Sequence, residues 1–180
     1  MVDSLVIEAF DVIACEEIVS ELRTAHGAAA PVYGKSAAGA VDAAVRKATR
    51  LAAPDDIRTR VIARLDELKP AIEQHFNVAL NKIENPQFLR YVTGDYFVAH
   101  QDGNTPMLRD DSRFRKISVI VFLSDPSAYD GGSLLVHGPY PEKTAVAAVQ
   151  GTLFAFPSET THEVSPLVRG ERYTIVSWYR

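Results

Sequence analysis

The sequence predicts an α+β fold, in which a helical N-terminal part supports a β-rich C-terminal part. Before residue 85 the apolar residues recur at helical spacing, and after it short apolar and β-branched runs alternate with turn signals. The length of 180 residues suits one domain with a full core and is short for two. We therefore expect a single domain over residues 1–180, with mainly helical support in 1–84 and a β core in 85–180.

The clearest helix of the N-terminal part begins after Pro54 and carries apolar residues at steps of three and four. These residues are Ile57, Val61, Leu65, Leu68, Ile72 and Phe76. Pro70 lies inside the pattern and is expected to kink or split the helix, because proline lacks the N–H that an interior position donates. A shorter amphipathic helix is predicted over residues 16–26.

The C-terminal part contains many short runs with strand character. The predicted strands are 88–91, 117–123, 133–136, 145–149, 151–156 and 173–178. The run 117–123 is rich in β-branched residues and has the length of a buried strand. A further short strand is predicted at Val32-Tyr33. Many short strands at close spacing favour a barrel or a sandwich, and a helical layer before such a core is an α+β arrangement.

Composition and charge exclude several classes of protein. The net charge of −4 offers no basic surface for nucleic acid or for an anionic membrane. Cys15 is the single cysteine, so no internal disulfide forms, which fits a reducing compartment. The N-terminus lacks the basic and apolar regions of a signal peptide, and no run approaches the ~20 apolar residues of a membrane span. We expect a cytoplasmic protein; its oligomeric state is not readable from the sequence.

A pair of ligand-type side chains, His100 and Asp102, is the first candidate for chemistry. At positions i and i+2 of a strand, both side chains point to the same side. His162, which follows a predicted strand, is the best third ligand. Two imidazoles and one carboxylate on one face form the facial triad that holds iron(II) in non-haem oxygenases. The remaining histidines fit helical or loop positions: His26, His75 and His137.

Arg172 is the second candidate, because it begins the last predicted strand ten residues after His162. A guanidinium fork at this place suits a carboxylate ligand. Arg169 competes for this role, but it lies outside the strand pattern. The alternation of a strand puts Arg172 on one face with Thr174, Val176 and Trp178, and it puts Tyr173 and Ile175 on the other.

The C-terminal part resembles the prolyl 4-hydroxylase-like branch of the 2-oxoglutarate/iron(II) dioxygenases. The resemblance is strong over residues 85–180 and only in outline before them. The stretches that carry it are 88–102, 115–123, 129–134, 157–158, 162–164 and 170–173. This resemblance implies a double-stranded β-helix core, of the jelly-roll or cupin-like kind, with supporting N-terminal helices.

The resemblance also implies roles for individual residues. Fe(II) would be bound by His100, Asp102 and His162. The far carboxylate of 2-oxoglutarate would meet Arg172, at a position that is lysine in some relatives. The Tyr91 hydroxyl would assist the cosubstrate. Pocket-lining positions of the last strand would be Trp178 and Thr174.

The activity that the resemblance implies is hydroxylation of an unactivated C–H bond with 2-oxoglutarate and O2 as cosubstrates and succinate and CO2 as products. It allows ascorbate as a further cofactor. A prolyl-type substrate is favoured, either a protein residue or a free amino acid. Another small molecule, or a cupin-like metal-binding protein that does not use 2-oxoglutarate, remain as alternatives. The polar segment 104–114 and the segment 32–46 are candidate substrate walls.

Overall fold

The computed structural model describes residues 2–32, 40–106, 108–139 and 141–180. The helices within these ranges are α1 (Val12–Thr24) and α2 (Asp55–Phe76), with short 3-10 helices at Asp111–Phe114 and Pro126–Ala128. The strands are β1 (Leu5–Glu8), β2 (Gly27–Ala29), β3 (Arg46–Lys47), β4 (Thr49–Leu51), β5 (Gln87–Val92), β6 (Tyr96–His100), β7 (Ile117–Phe122), β8 (Asp130–Gly131), β9 (Leu134–His137), β10 (Lys143–Ala145), β11 (Thr152–Pro157), β12 (His162–Val164), β13 (Leu167–Arg169) and β14 (Glu171–Tyr179).

Two antiparallel sheets form the core of the molecule. The larger sheet has the order β1-β11-β7-β14-β5-β4-β2, the smaller has the order β10-β9-β12-β6-β3, and β13 pairs with β8 separately. Apolar side chains of the two sheets pack against each other, with Ile120 and Phe122 of β7 meeting Leu134 and Val136 of β9. The predicted α+β fold with a jelly-roll core is confirmed.

A layer of helices covers the outer face of the larger sheet. Val61 and Leu65 of α2 are fully buried and share one cluster with Val119, Val121 and Ile175. All six residues of β7 are therefore buried, because one face packs on the helices and the other faces the jelly-roll interior. Each such apolar side chain contributes roughly 1.5–3 kcal/mol on burial.

The boundaries of both helices differ from the prediction. α1 begins at Val12, because the Asp11 carboxylate accepts a hydrogen bond from the Ala14 N–H and caps the helix. The sequence predicts that Pro70 kinks or splits α2, but the helix is not split, because it runs from Asp55 to Phe76 through the proline. Its apolar positions on both sides of the proline are anchored in the core, which holds the two halves in one helix. Neither helix of the described residues is long and apolar enough to cross a membrane.

The N-terminal part contains more strand than predicted. β1, β2 and β4 extend the larger sheet, and β3 pairs with β6 at the edge of the smaller one. Strands of two to four residues are too short for an alternation of apolar and polar residues to be read from the sequence. They can be recognised only from the strands with which they pair. The strand expected over 145–149 lies instead at Lys143–Ala145. Of the Val32-Tyr33 prediction, Val32 forms a bridge with Ala40, and Tyr33 lies outside the described residues.

Candidate metal centre

Strand pairing brings His100, Asp102 and His162 together. His100 ends β6 and lies opposite His162, the first residue of β12. The prediction that Asp102 shares a strand with His100 is wrong, because the strand ends at His100. Asp102 nevertheless turns towards the same place, and one ligand atom from each of the three residues lies within 4.8 Å of the others.

Main-chain carbonyls orient both imidazoles. Nδ1 of His100 lies 2.8 Å from the carbonyl oxygen of Val98, and Nδ1 of His162 lies 2.9 Å from that of Thr160. A carbonyl only accepts, so each Nδ1 carries the ring proton and donates it. In a neutral ring this leaves Nε2 with a lone pair, and each Nε2 lies 3.5 Å from an oxygen of Asp102. This is the tautomer in which histidine binds a metal through Nε2.

The position of Asp102 is set by buried serines and by a glycine. The Ser118 hydroxyl donates to Oδ2 of Asp102 at 2.8 Å. The N–H groups of Asp102 and Gly103 both donate to the Ser158 carbonyl, at 2.9 and 3.0 Å. A Cβ atom at Gly103 would lie 2.7 Å from the Ser112 carbonyl oxygen, so a larger residue does not fit there. The turn after β6 is thus packed too tightly for the carboxylate to move freely.

The electrostatics of the cluster favour the protonation states that metal binding needs. Burial by itself raises the pKa of the Asp102 carboxyl, but interactions with the imidazoles of His162 and His100 outweigh burial and hold that pKa well below its usual range. Burial lowers the pKa of His162 to about 4, although the Asp102 carboxylate opposes this shift. At neutral pH the cluster therefore presents a carboxylate anion beside a neutral buried imidazole.

The three side chains open onto a cavity of about 90 Å³ between the two sheets. Its walls are mainly apolar and aromatic and include Leu89, Tyr91, Phe97, Ile120, Val164 and Trp178. Trp178 lines the cavity, as the sequence predicts, and so does Tyr91, whose predicted role is contact with the cosubstrate. Thr174 and Arg172 are buried on the same face of β14 but are not part of the lining, so the predicted lining role of Thr174 is wrong. The segment 104–114 contributes Leu108 and Ser112 to the wall.

Arg172 lies inside the jelly roll, and Arg169 lies outside it. Arg172 is only 2% exposed, and its guanidinium carbon is 5.4 Å from the centre of the Tyr91 ring and 5.7 Å from that of Phe122. Among the described residues, no carboxylate pairs with it, and its Nε has no hydrogen-bond partner. Arg169 is exposed and pairs with Asp130 at 2.8 Å. Arg172 is therefore a buried cation with no anion beside it among the described residues.

Sequence reasoning gave no role to Ser118 or to Arg115, and the structure places both beside the metal ligands. Arg115 is buried, its guanidinium carbon lies 3.7 Å from the centre of the Trp178 ring, and it donates to Glu84 at 2.7 Å. The signal for Ser118 was a single hydroxyl in an otherwise apolar buried strand. A buried polar side chain needs a partner, and here that partner is Asp102.

This donor set fits a divalent transition metal. Two imidazole nitrogens and one carboxylate on one wall leave the cavity side open, which is the arrangement of non-haem iron(II) sites. A buried cation without an anion among the described residues, Arg172, lies inside the same jelly roll. The residues present therefore fit both Fe(II) and a dicarboxylate such as 2-oxoglutarate.

Comparison with known proteins identifies the family. The profile of the 2OG-Fe(II) oxygenase superfamily matches residues 86–180. A PKHD-type hydroxylase of Burkholderia ambifaria is 33% identical over 166 residues, which cover 89% of this chain and 71% of that protein. A PKHD-type hydroxylase of Burkholderia lata is 37% identical over 119 residues, but the match covers 63% of this chain and 52% of that protein.

Solved structures share the fold at lower sequence identity. A Pseudomonas putida prolyl-4-hydroxylase superimposes with a TM-score of 0.74 and 22% identity, over 100% of this chain and 93% of that one. A Trichoplax adhaerens prolyl hydroxylase, in complex with a hypoxia inducible factor peptide fragment, gives 0.73 and 16%, over 98% and 83%. These likenesses support the jelly-roll fold, and the sequence matches support the family. The chain belongs to the 2OG-Fe(II) oxygenase superfamily.

Proposed function

We propose that this oxygenase hydroxylates an unactivated C–H bond, with Fe(II) bound by His100, Asp102 and His162. The observation that carries the proposal is that this cluster lies inside the same jelly roll as Arg172, a buried arginine with no carboxylate partner among the described residues. A cupin-like metal protein that does not use 2-oxoglutarate has no need of that cation. The reaction consumes the substrate, O2 and 2-oxoglutarate and yields the hydroxylated product, succinate and CO2. One oxygen atom of O2 enters the product and the other enters succinate.

The bound Fe(II) would supply the activation of O2, and the protein would supply position and shielding. Arg172 would hold the far carboxylate of 2-oxoglutarate through a charge-assisted fork. The neighbouring Tyr91 hydroxyl would donate to the cosubstrate. The apolar wall, including Trp178, would keep bulk water from the reacting groups. Ascorbate would serve as a reductant that returns inactive iron to Fe(II).

The substrate that we favour is prolyl-type, either a residue in a protein or a free amino acid. Support comes from the names of the relatives and structural neighbours, which are hydroxylases and prolyl hydroxylases. One neighbour holds a peptide fragment in its structure. Another small molecule is the alternative, since the cavity beside the cluster is small.

We propose further that residues 1–180 act as one oxygenase domain. The family profile begins at residue 86, but strands from earlier residues extend both sheets. Arg46 of β3 also reaches the wall of the cavity. The earlier residues therefore contribute to the site as well as to the support.

The direct test measures succinate formed from 2-oxoglutarate by purified protein with Fe(II) and ascorbate, and it screens amino acids and peptides for a mass gain of one oxygen atom. We expect slow uncoupled succinate formation and stimulation by a proline-containing compound. The His162→Ala variant is the control and should be inactive. Metal binding without any succinate would favour the cupin-like alternative. Succinate without stimulation by proline compounds would remove only the prolyl assignment.

A further inference from the structure

Arg46, which lines the metal cavity, is a further buried arginine without a carboxylate partner among the described residues. Arg46 of β3 is 7% exposed, and its Nη1 donates to the Pro31 carbonyl at 3.0 Å. Among the described residues its Nε has no hydrogen-bond partner, and no carboxylate pairs with it. Arg115 lines the same cavity but is paired with Glu84 at 2.7 Å. Arg46 and Arg172 are thus the buried cations of this interior that lack an anion in the described chain.

An aromatic ring links Arg46 to the metal cluster. The guanidinium carbon of Arg46 lies 4.7 Å from the centre of the Phe97 ring. The same ring stacks on the His100 imidazole, with centres 3.6 Å apart and planes 17° apart. The guanidinium carbon is therefore no further from the centre of the His100 ring than these 4.7 Å and 3.6 Å added together. That separation is spanned by a molecule of a few carbon atoms.

The two unpaired arginines stand on different sheets. Arg46 belongs to the edge of the smaller sheet, whereas Arg172 lies in the middle of the larger one. Burial of a guanidinium is costly unless its donors are satisfied, so each site favours an anion. The cosubstrate has one carboxylate beyond its metal-chelating end and needs one such fork. The other fork is left for a different ligand.

We propose that Arg46 binds a carboxylate of the substrate while the C–H bond to be oxidised faces the metal cluster. The inference rests on the proposed function and defines its substrate class as carboxylate-bearing compounds. A free amino acid supplies such a group, and so does the terminal or side-chain carboxylate of a peptide. An internal prolyl residue without a nearby carboxylate is not a substrate on this proposal. The Phe97 ring and the Nη1 hydrogen bond to Pro31 hold the guanidinium in place, and the remaining donors are left for the ligand.

The test compares acids with their amides. Protein loaded with Zn(II) in place of Fe(II) and saturated with 2-oxoglutarate is titrated with L-proline, L-prolinamide, the other amino acids and their amides. Proline-containing and acidic peptides are added as free acids and as C-terminal amides, so that the two sources of the carboxylate are distinguished. Binding is followed by calorimetry and by the fluorescence of Trp178, the single tryptophan, which lines the cavity. We expect at least one acid to bind and its amide to bind roughly 10- to 100-fold more weakly.

Variants locate the effect at Arg46. Arg46→Gln should remove the preference for the acid over the amide, and Arg46→Lys should restore part of it, because lysine keeps the charge and loses the fork. The matched control is Lys47→Gln, which removes the neighbouring cation of β3; Lys47 is exposed and pairs with Asp95 at 3.5 Å. None of the three changes should alter the affinity for 2-oxoglutarate. That affinity also shows that each variant is folded.

Separate outcomes bear on the inference and on the proposed function. If no acid binds, or if amides bind as tightly as acids, the role of Arg46 is wrong. It is also wrong if Arg46→Gln weakens 2-oxoglutarate binding and leaves acid binding unchanged. The proposed function fails instead if the Fe(II)-loaded wild type forms no succinate. Succinate formation together with indifference to carboxylates would overturn this inference alone.

Discussion

The two sides of the cavity are built in different ways. On the metal side, the polar atoms that orient the ligands have partners within the protein: a carbonyl for each Nδ1, and Ser118 for Asp102. Arg46 in the wall of the cavity and Arg172 elsewhere inside the jelly roll contact aromatic rings instead, and their Nε atoms have no partner among the described residues. The groups that orient the metal ligands therefore have their partners within the fold, whereas the two guanidinium groups lack an anion among the described residues.

This difference separates preorganisation from recognition. A ligand set held by internal hydrogen bonds loses little conformational freedom when the metal binds, so its geometry is a property of the fold. A buried guanidinium without an anion destabilises the free protein and favours binding of a carboxylate. Substitutions on the two sides should therefore fail in different measurements.

The largest effect is expected from the ligands themselves. His100→Ala, Asp102→Ala and His162→Ala should each abolish succinate formation and weaken Fe(II) binding severely, because each removes one of three protein donors. Metal content after dialysis and succinate release measure the two losses. Near-normal turnover by any of the three variants would show that the cluster is not the iron site.

The second-largest effect is expected from the buried arginine of β14. Arg172→Ala should raise the concentration of 2-oxoglutarate needed for half-maximal rate by roughly 30- to 1000-fold, the equivalent of about 2–4 kcal/mol. Fe(II) binding should be retained, which is the opposite pattern from the ligand variants. Arg169→Ala is the matched control, because Arg169 is exposed and bound to Asp130. If the control carried the loss in place of Arg172→Ala, the cosubstrate would bind elsewhere.

A smaller effect should follow from loosening the metal side without removing a ligand. Ser118→Ala deletes the hydroxyl that donates to Asp102 and should weaken metal binding about 10- to 100-fold. Ser177 offers a control, since it is equally buried on the neighbouring strand and donates to the Glu84 carbonyl at 2.7 Å. Ser177→Ala should lower stability but leave metal affinity unchanged. Equal metal affinities for the two variants would mean that Ser118 does not hold the carboxylate.

The smallest effect on the site is expected from the helix layer. Leu65→Ala removes a fully buried side chain from α2 and should cost about 2–5 kcal/mol of unfolding free energy. At a temperature where the variant stays folded, its affinities for Fe(II) and 2-oxoglutarate should match those of the wild type. Denaturant unfolding and the two binding titrations measure this. A change in either affinity would show that the helices shape the cavity as well as support it.

Much of the fold could be predicted from local pattern. The apolar repeat of α2 and the β-branched run of β7 are long enough for their periods to be read, and alternation along β14 correctly separated Trp178 from Tyr173 and Ile175. The short strands β1 to β4 could not be predicted, because their hydrogen-bond partners lie far along the chain. The continuity of α2 through Pro70 also depends on packing, which local propensity does not contain.

The sequence by itself determined which side chains are available for chemistry. The spacing of His100 and Asp102, with His162 and Arg172 after them, indicates the kind of metal site and a carboxylate ligand. The motifs around these residues carry the resemblance to the family. Only the tertiary structure decided that Ser118 would hold Asp102 and that Arg46 would enter the same cavity. The reason is physical: a hydrogen bond, a stacked ring or an unpaired buried charge depends on contacts between distant segments, and no single segment records those contacts.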